Sequence, residues 1–249
     1  MSVQDPAVDS LDNGTPSPLF YREPEALSSR LHADWRLKSG DLGFAAATHV
    51  VPIVVAEFAR ASRWYPVLFT AGTPSPVALL GLEPRNLFVT DGVWTPQAYV
   101  PAYVRRYPFG FMATSEPDRY ALAIDAASDA VVRGGEEGEP LFADGEPGPL
   151  TREALKFCDA FQGEAAATSA FCAAVAAQGL LVDRRAEAVL PDGRRFGVEG
   201  FQVIDPERFG ALPAEVVVDW HQRGWLGLAH FHLASLDRFT DLLALQGAA

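Results

Sequence analysis

The side chains best suited to metal chemistry are His230 and His232, which flank Phe231. If residues 225–233 form a strand, alternate positions project to one face and offer two imidazoles to one divalent ion. Two nitrogens leave the coordination shell incomplete, so His221, Asp219, His49 or Glu57 would have to fill it. The competing reading makes both rings hydrogen-bonded structural groups on a half-exposed strand. On that reading no cofactor is expected; a divalent metal belongs only to the first.

A second concentration of chemistry lies in Trp94, Tyr99, Tyr103, Arg105, Arg106 and Tyr107. Aromatic faces stack on sugars or peptides, and guanidinium groups hold a carboxylate through forked hydrogen bonds. This segment is the ligand-binding candidate, with a protein, a small ligand or a glycan as partner. A carbohydrate would use Trp94 and Tyr99. The internal alternative has the rings filling the core and Arg105 or Arg106 paired with Asp91 or Glu83.

Covalent chemistry has little support. No Gly-x-Ser-x-Gly element occurs, and Ser235 reads as a helix cap. Cys158 and Cys172 stand fourteen positions apart in one expected helix. That spacing is about 21 Å at roughly 1.5 Å per residue, whereas bridged Cα atoms lie about 4.4–6.8 Å apart. Neither thiol has a neighbour suited to lowering its pKa, so both read as small buried apolar groups. The Gly134-Gly135 and Gly138 region lacks the strand, spacing and lysine of a nucleotide-binding loop. No catalytic residue is assigned.

The elements that must position these groups are mostly hairpins. Residues 65–70 and 77–82 are apolar runs joined by Ala71-Gly72-Thr73-Pro74-Ser75-Pro76. A short strand is expected over 86–89, Asp91-Gly92 makes a turn, and 109–113 pairs with 120–125. Leu181–Leu190 and Arg195–Ile204 flank Pro191-Asp192-Gly193, a strong hairpin signal. The stripe Phe157, Cys158, Phe161, Thr168, Phe171, Cys172 and Val175 predicts a helix over 150–179 with Thr151 as N-cap. Asp205-Pro206 opens a helical turn, 213–223 reads as a helix ended by Gly224, 225–233 as a strand, and 235–246 as a terminal helix. The fold class is α+β, with antiparallel hairpin-rich sheets, a long central helix and C-terminal helices. Residues 1–25 read as a flexible arm and 26–249 as one domain, with sub-lobes at 45–133 and 149–249.

Composition bounds the partners. With 249 residues, 49% of them hydrophobic, the chain can bury a sizeable core. The formal charge of −12 repels nucleic acid and anionic headgroups. Asp5, Asp9 and Asp12 stand where a secretory signal would be apolar, which predicts a cytoplasmic protein. The apolar windows 50–55 and 165–177 fall short of the roughly 20 residues needed to span a bilayer. Sheet edges and aromatic surface can support a homodimer.

Several segments together resemble the SapC family, a bacterial group named for a surface-array (S-layer) protein. They are YPVLF at 65–69, VALLGLEPRNLFV at 77–89, DGVW at 91–94 and YVPAYVRRYPF at 99–109. LFADGEP at 141–147, GFQVIDPERF at 200–209 and ASLDRF at 234–239 extend the likeness. The resemblance implies a non-enzymatic binding, assembly or accessory protein with no catalytic residues to carry over. The family name also implies a cell-surface location.

Overall fold

A computed structural model describes residues 18–116, 119–189 and 193–248. Most of the 1–25 arm and the Pro191-Asp192 pair lie outside these residues. Strands β1 (Pro24–Ala26), β2 (Trp35–Leu37) and β3 (Val50–Pro52) come first, followed by helix α1 (Phe58–Ala61). The β4–β5 hairpin (Val67–Thr70, Pro76–Leu79), the β6–β7 hairpin (Val89–Thr90, Val93–Trp94) and helix α2 (Ala102–Arg105) come next. Then follow the β8–β9 hairpin (Phe109–Ala113, Tyr120–Asp125) and the brief strands β10 (Val131–Arg133), β11 (Glu139–Pro140), β12 (Phe142–Ala143) and β13 (Glu146–Pro147). The remainder is α3 (Pro149–Ala177), the β14–β15 hairpin (Leu181–Val189, Arg195–Ile204), α4 (Pro206–Gly210), α5 (Ala214–Gln222), α6 (Trp225–Ser235) and α7 (Arg238–Ala248). The mixed α+β class and antiparallel pairing are as the sequence predicts.

The chain divides into two compact units, neither of them contiguous: residues 1–41 with 106–160, and 42–105 with 161–249. In the first, β1-β9-β8 and β10-β2-β11 form two three-stranded sheets and β12-β13 a small ribbon. Trp35, Phe109, Ile124, Leu141, Phe142 and Cys158 make its core. Residues 24–26, the end of the expected arm, are built into this unit, with Pro24 opposite Asp125 in an antiparallel register.

The second unit carries a five-stranded sheet in the order β14-β15-β4-β5-β3. Phe58, Tyr65, Phe69, Phe171 and Ile204 are buried in its core, and Phe171 meets the rings of Phe58, Trp220 and Trp225 within 6.0–6.2 Å. The Asp91-Gly92 turn between β6 and β7 has positive φ at both residues (50° and 75°), which is why Asp and Gly occupy it.

Three local expectations give way. Residues 225–233 belong to α6 and are not a strand. The alternation His-Phe-His mimics a half-buried strand, but the run holds Leu and Ala and no β-branched residue, and it starts directly after the left-handed Gly224. Ser235 is the last residue of α6 and caps nothing at the start of α7. Thr151 lies inside α3, where its hydroxyl donates to the Leu141 carbonyl at 2.7 Å. In addition, only Val89 of the 86–89 run enters a strand.

The helix at 225–235 changes what His232 does. β15 pairs with β4 only at Phe201↔Thr70 and Gln202↔Phe69. Continued in register, that ladder would bring Ile204 opposite Val67, and the His232 ring stands between them. Nε2 accepts from the Ile204 N–H at 3.0 Å, and Nδ1–H donates to the Val67 carbonyl at 2.8 Å. The Val67 N–H in turn donates to Ser235 Oγ at 2.9 Å, and that hydroxyl donates to the His232 carbonyl at 2.6 Å. One helix thus completes the hydrogen bonding of a strand residue that its neighbouring strand has left. Burial holds the His232 pKa down to about 4 against the pull of the Val67 carbonyl.

His232→Ala should therefore cost about 3–5 kcal/mol, because two buried backbone groups lose their partner and a cavity remains; urea denaturation measures it. The folded pKa lies below the unfolded value, so the unfolded chain takes up the extra proton. Stability contributed by His232 is complete above about pH 6.5 and falls by roughly 1 kcal/mol per pH unit toward pH 4. The difference between wild type and variant should narrow across that window.

Candidate functional site

Glu57 lies at the centre of the aromatic segment in the second unit. It sits just ahead of α1, and its side chain is almost wholly buried. Its Oε2 accepts from the Val54 N–H at 2.9 Å. Its Oε1 accepts from the Ala102 N–H at 2.7 Å and from the Tyr99 hydroxyl at 2.9 Å. The Ala102 amide opens α2, so one carboxylate fastens two irregular, proline-broken stretches that cannot satisfy their own amides. Burial raises the Glu57 pKa, while the two amides, Tyr99 and the Arg105 charge pull it down.

Tyr99 extends this network outward. Its hydroxyl also accepts from Arg105 Nη2 at 3.1 Å, and Arg105 Nε donates to the Val100 carbonyl at 3.0 Å. The guanidinium lies 5.6 Å from the Tyr99 ring centre. Burial and the Glu57 carboxylate push the Tyr99 pKa up to about 12, so the phenol stays protonated and donates. On the inner side, Trp94 Nε1 donates to the Tyr65 hydroxyl at 3.1 Å, and that hydroxyl donates to the Tyr99 carbonyl.

Of the six predicted binding residues, the structure brings Trp94, Tyr99 and Arg105 into this one network. Trp94 is 6% exposed, and Tyr103 is buried edge-on to Phe161 at 6.3 Å, so neither presents a ring face to solvent. Arg106 and Tyr107 belong to the first unit. There the Arg106 guanidinium lies 5.7 Å from the Tyr21 ring, and the Tyr107 hydroxyl donates to Asp125 at 2.7 Å. Asp125, fully buried, also accepts the Arg22 and Glu23 amides at 3.1 and 2.7 Å. It does for the first unit what Glu57 does for the second.

The proposed metal ligands are not gathered. Both nitrogens of His232 are engaged, and His230 is exposed on α6 with its ring edge-on to Phe209 at 5.2 Å. His221 is exposed on α5, and Asp219 is held by Arg223 at 2.8 and 2.9 Å. Among the described residues no group of three or more His, Cys, Asp or Glu is placed to hold a metal ion. Both cysteines are free and buried, and burial pushes each thiol to about 11.

Sequence offered Glu57 only as a further metal ligand, and it did not single out Tyr65 or Asp125 as part of a site. The one local signal for Glu57 is its position three residues after Val54, where an acid can turn back onto an exposed amide. Glu57→Gln should destabilise by about 2–4 kcal/mol, because both oxygens accept N–H groups and an amide nitrogen would face one of them. Tyr99→Phe should cost about 1 kcal/mol by removing the hydroxyl that donates to Glu57 and accepts from the exposed Arg105. Chemical denaturation of the two variants checks the order.

Among the described residues no helix is long and apolar enough to cross a membrane. No curated protein and no solved structure matches the chain. A family model described as SapC matches residues 27–242, a span that contains Glu57, Asp125 and His232. On that match, the chain belongs to the SapC family.

Proposed function

We propose that this chain is a non-enzymatic binding or assembly protein whose recognition surface within residues 93–105 centres on Arg105. The observation that carries the reading is an exposed guanidinium fixed in place. Arg105 is tied to the Val100 carbonyl, the Tyr99 hydroxyl and the Tyr99 ring while its surface remains open to solvent. A free surface arginine would lose much rotamer entropy on capturing a ligand; one already ordered loses less. Its planar fork suits a carboxylate or a peptide carbonyl of a protein partner. Val93, 62% exposed, and the exposed stretch 95–97 supply apolar and backbone surface in the same part of the chain.

The carbohydrate alternative draws less support, because the Trp94 face is buried and its indole N–H is already donated to Tyr65. Affinity capture from host cells with wild-type protein, Arg105→Ala and an Arg119→Ala control tests the reading. Arg105→Ala should lose a partner that the control retains. Its melting temperature should fall by less than about 4 °C, as expected for loss of an exposed group. An unchanged set of captured proteins, or global unfolding of Arg105→Ala, overturns it.

A further inference from the structure

The outer half of the β14–β15 hairpin leaves the five-stranded sheet, since β15 meets β4 only at Phe201 and Gln202. Helix α7 comes against this hairpin instead: Phe239 packs on Phe201 at 6.0 Å, and Arg194 Nη2 donates to the Gly247 carbonyl at 3.4 Å. Between them runs a groove of about 360 Å³, within the range of about 300–1,000 Å³ of small-molecule sites. Leu82, Phe196, Phe239 and Leu243 line it with carbon, and Gly197 contributes no side chain to close it.

A β-bulge lies at its polar rim. The β14–β15 register shifts between Arg184 and Ala186, where Glu199 and Gly200 of β15 stand opposite Arg185 alone, and the Arg185 side chain lines the groove. Glu187 stands beside it at 3.5 Å, both side chains being 70% or more exposed, so the pair is weak and readily exchanged. Arg194 adds a second guanidinium, 5.8 Å from the Phe196 ring that lines the groove. Arg185 lines the groove and Arg194 lies against its Phe196 wall, so two guanidinium groups stand at this place on a chain of charge −12.

We propose that this groove binds a medium-chain aliphatic carboxylate. The alkyl chain lies against Leu82, Phe196, Phe239 and Leu243, and the carboxylate takes the Arg185 fork in place of Glu187. Leu82, Phe196, Phe239 and Leu243 give an alkyl chain of about eight to ten carbons apolar contact within this volume, while the polar side chains of the lining are Arg185, Glu187 and Thr240. At neutral pH such an acid is ionised, and a guanidinium is its natural counterpart. This site is separate from Arg105 and does not depend on the function proposed above.

Titration calorimetry with decanoate, decanol and decylammonium, each below its aggregation concentration, tests the assignment. Decanoate should bind at one site at least about tenfold more tightly than the other two. Arg185→Gln should weaken decanoate about tenfold and leave decanol unchanged, while Arg119→Gln matches wild type. Because Arg185 is exposed, the variant should keep its circular dichroism spectrum. Equal affinity for the three headgroups, an Arg185→Gln variant that binds decanoate normally, or no saturable binding overturns the proposal.

Discussion

Buried backbone groups that no helix or sheet ladder satisfies must still find hydrogen-bond partners, and this fold is organised around that need. The strands are short and the connections rich in proline, so many amides and carbonyls have no ladder to join. Single buried side chains serve them instead. Glu57 accepts the Val54 and Ala102 amides, and Asp125 those of Arg22 and Glu23. His232 with Ser235 satisfies Val67 and Ile204, and Gln246 accepts the Leu82 amide at 3.3 Å. Apart from the Val54 bond to Glu57, these bonds join segments far apart in the chain. Removing any one leaves a desolvated polar group whose cost exceeds the net value of the bond itself.

This constraint gives a physical account of the residues through which the family is recognised. In the segment 77–89, Gly81 has no room for a Cβ, which would come 2.0 Å from the Arg85 carbonyl oxygen. Asn86 accepts the Phe88 amide at 2.9 Å and donates to the Ala45 carbonyl at 3.3 Å, folding the loop onto itself and onto the preceding segment. Trp94 and Tyr99 are bound into the Glu57 network, and Tyr107 into that of Asp125. These polar side chains are engaged inside the molecule, whereas Glu83, Arg85, Asp91 and Arg105 of the same segments are exposed.

Histidine shows how the same residue types can suggest opposite chemistry. On a strand, His230 and His232 would share a face. On α6 they lie about 200° apart at roughly 100° per residue, one exposed and one enclosed. The enclosed ring is a neutral hydrogen-bond relay, accepting at one nitrogen and donating at the other. A metal ion would have to displace one of those bonds and strand a backbone group. The burial that makes the relay effective also lowers its pKa, so its neutrality and its structural role have one cause.

The sequence by itself determined what depends on neighbours along the chain. Hairpins at 67–79, 109–125 and 181–204, the helix at 149–177 and the Asp205-Pro206 cap all follow from period, turn residues and punctuation. Local pattern failed where two periods fitted the same residues, as in 225–235, where an apolar run without β-branched residues reads either way until its packing is known. The scaffold acids were illegible for a different reason. Glu57 looks like any acid near a helix start, and Asp125 like the end of a strand. Only the tertiary structure brings Ala102 to one and Arg22 to the other, across separations of 45 and 103 residues. The placing of Arg185 in a groove is likewise decided by a helix more than fifty positions away. Spacing along a chain encodes which groups can share an element; which distant amide a buried carboxylate must satisfy is set when the elements pack.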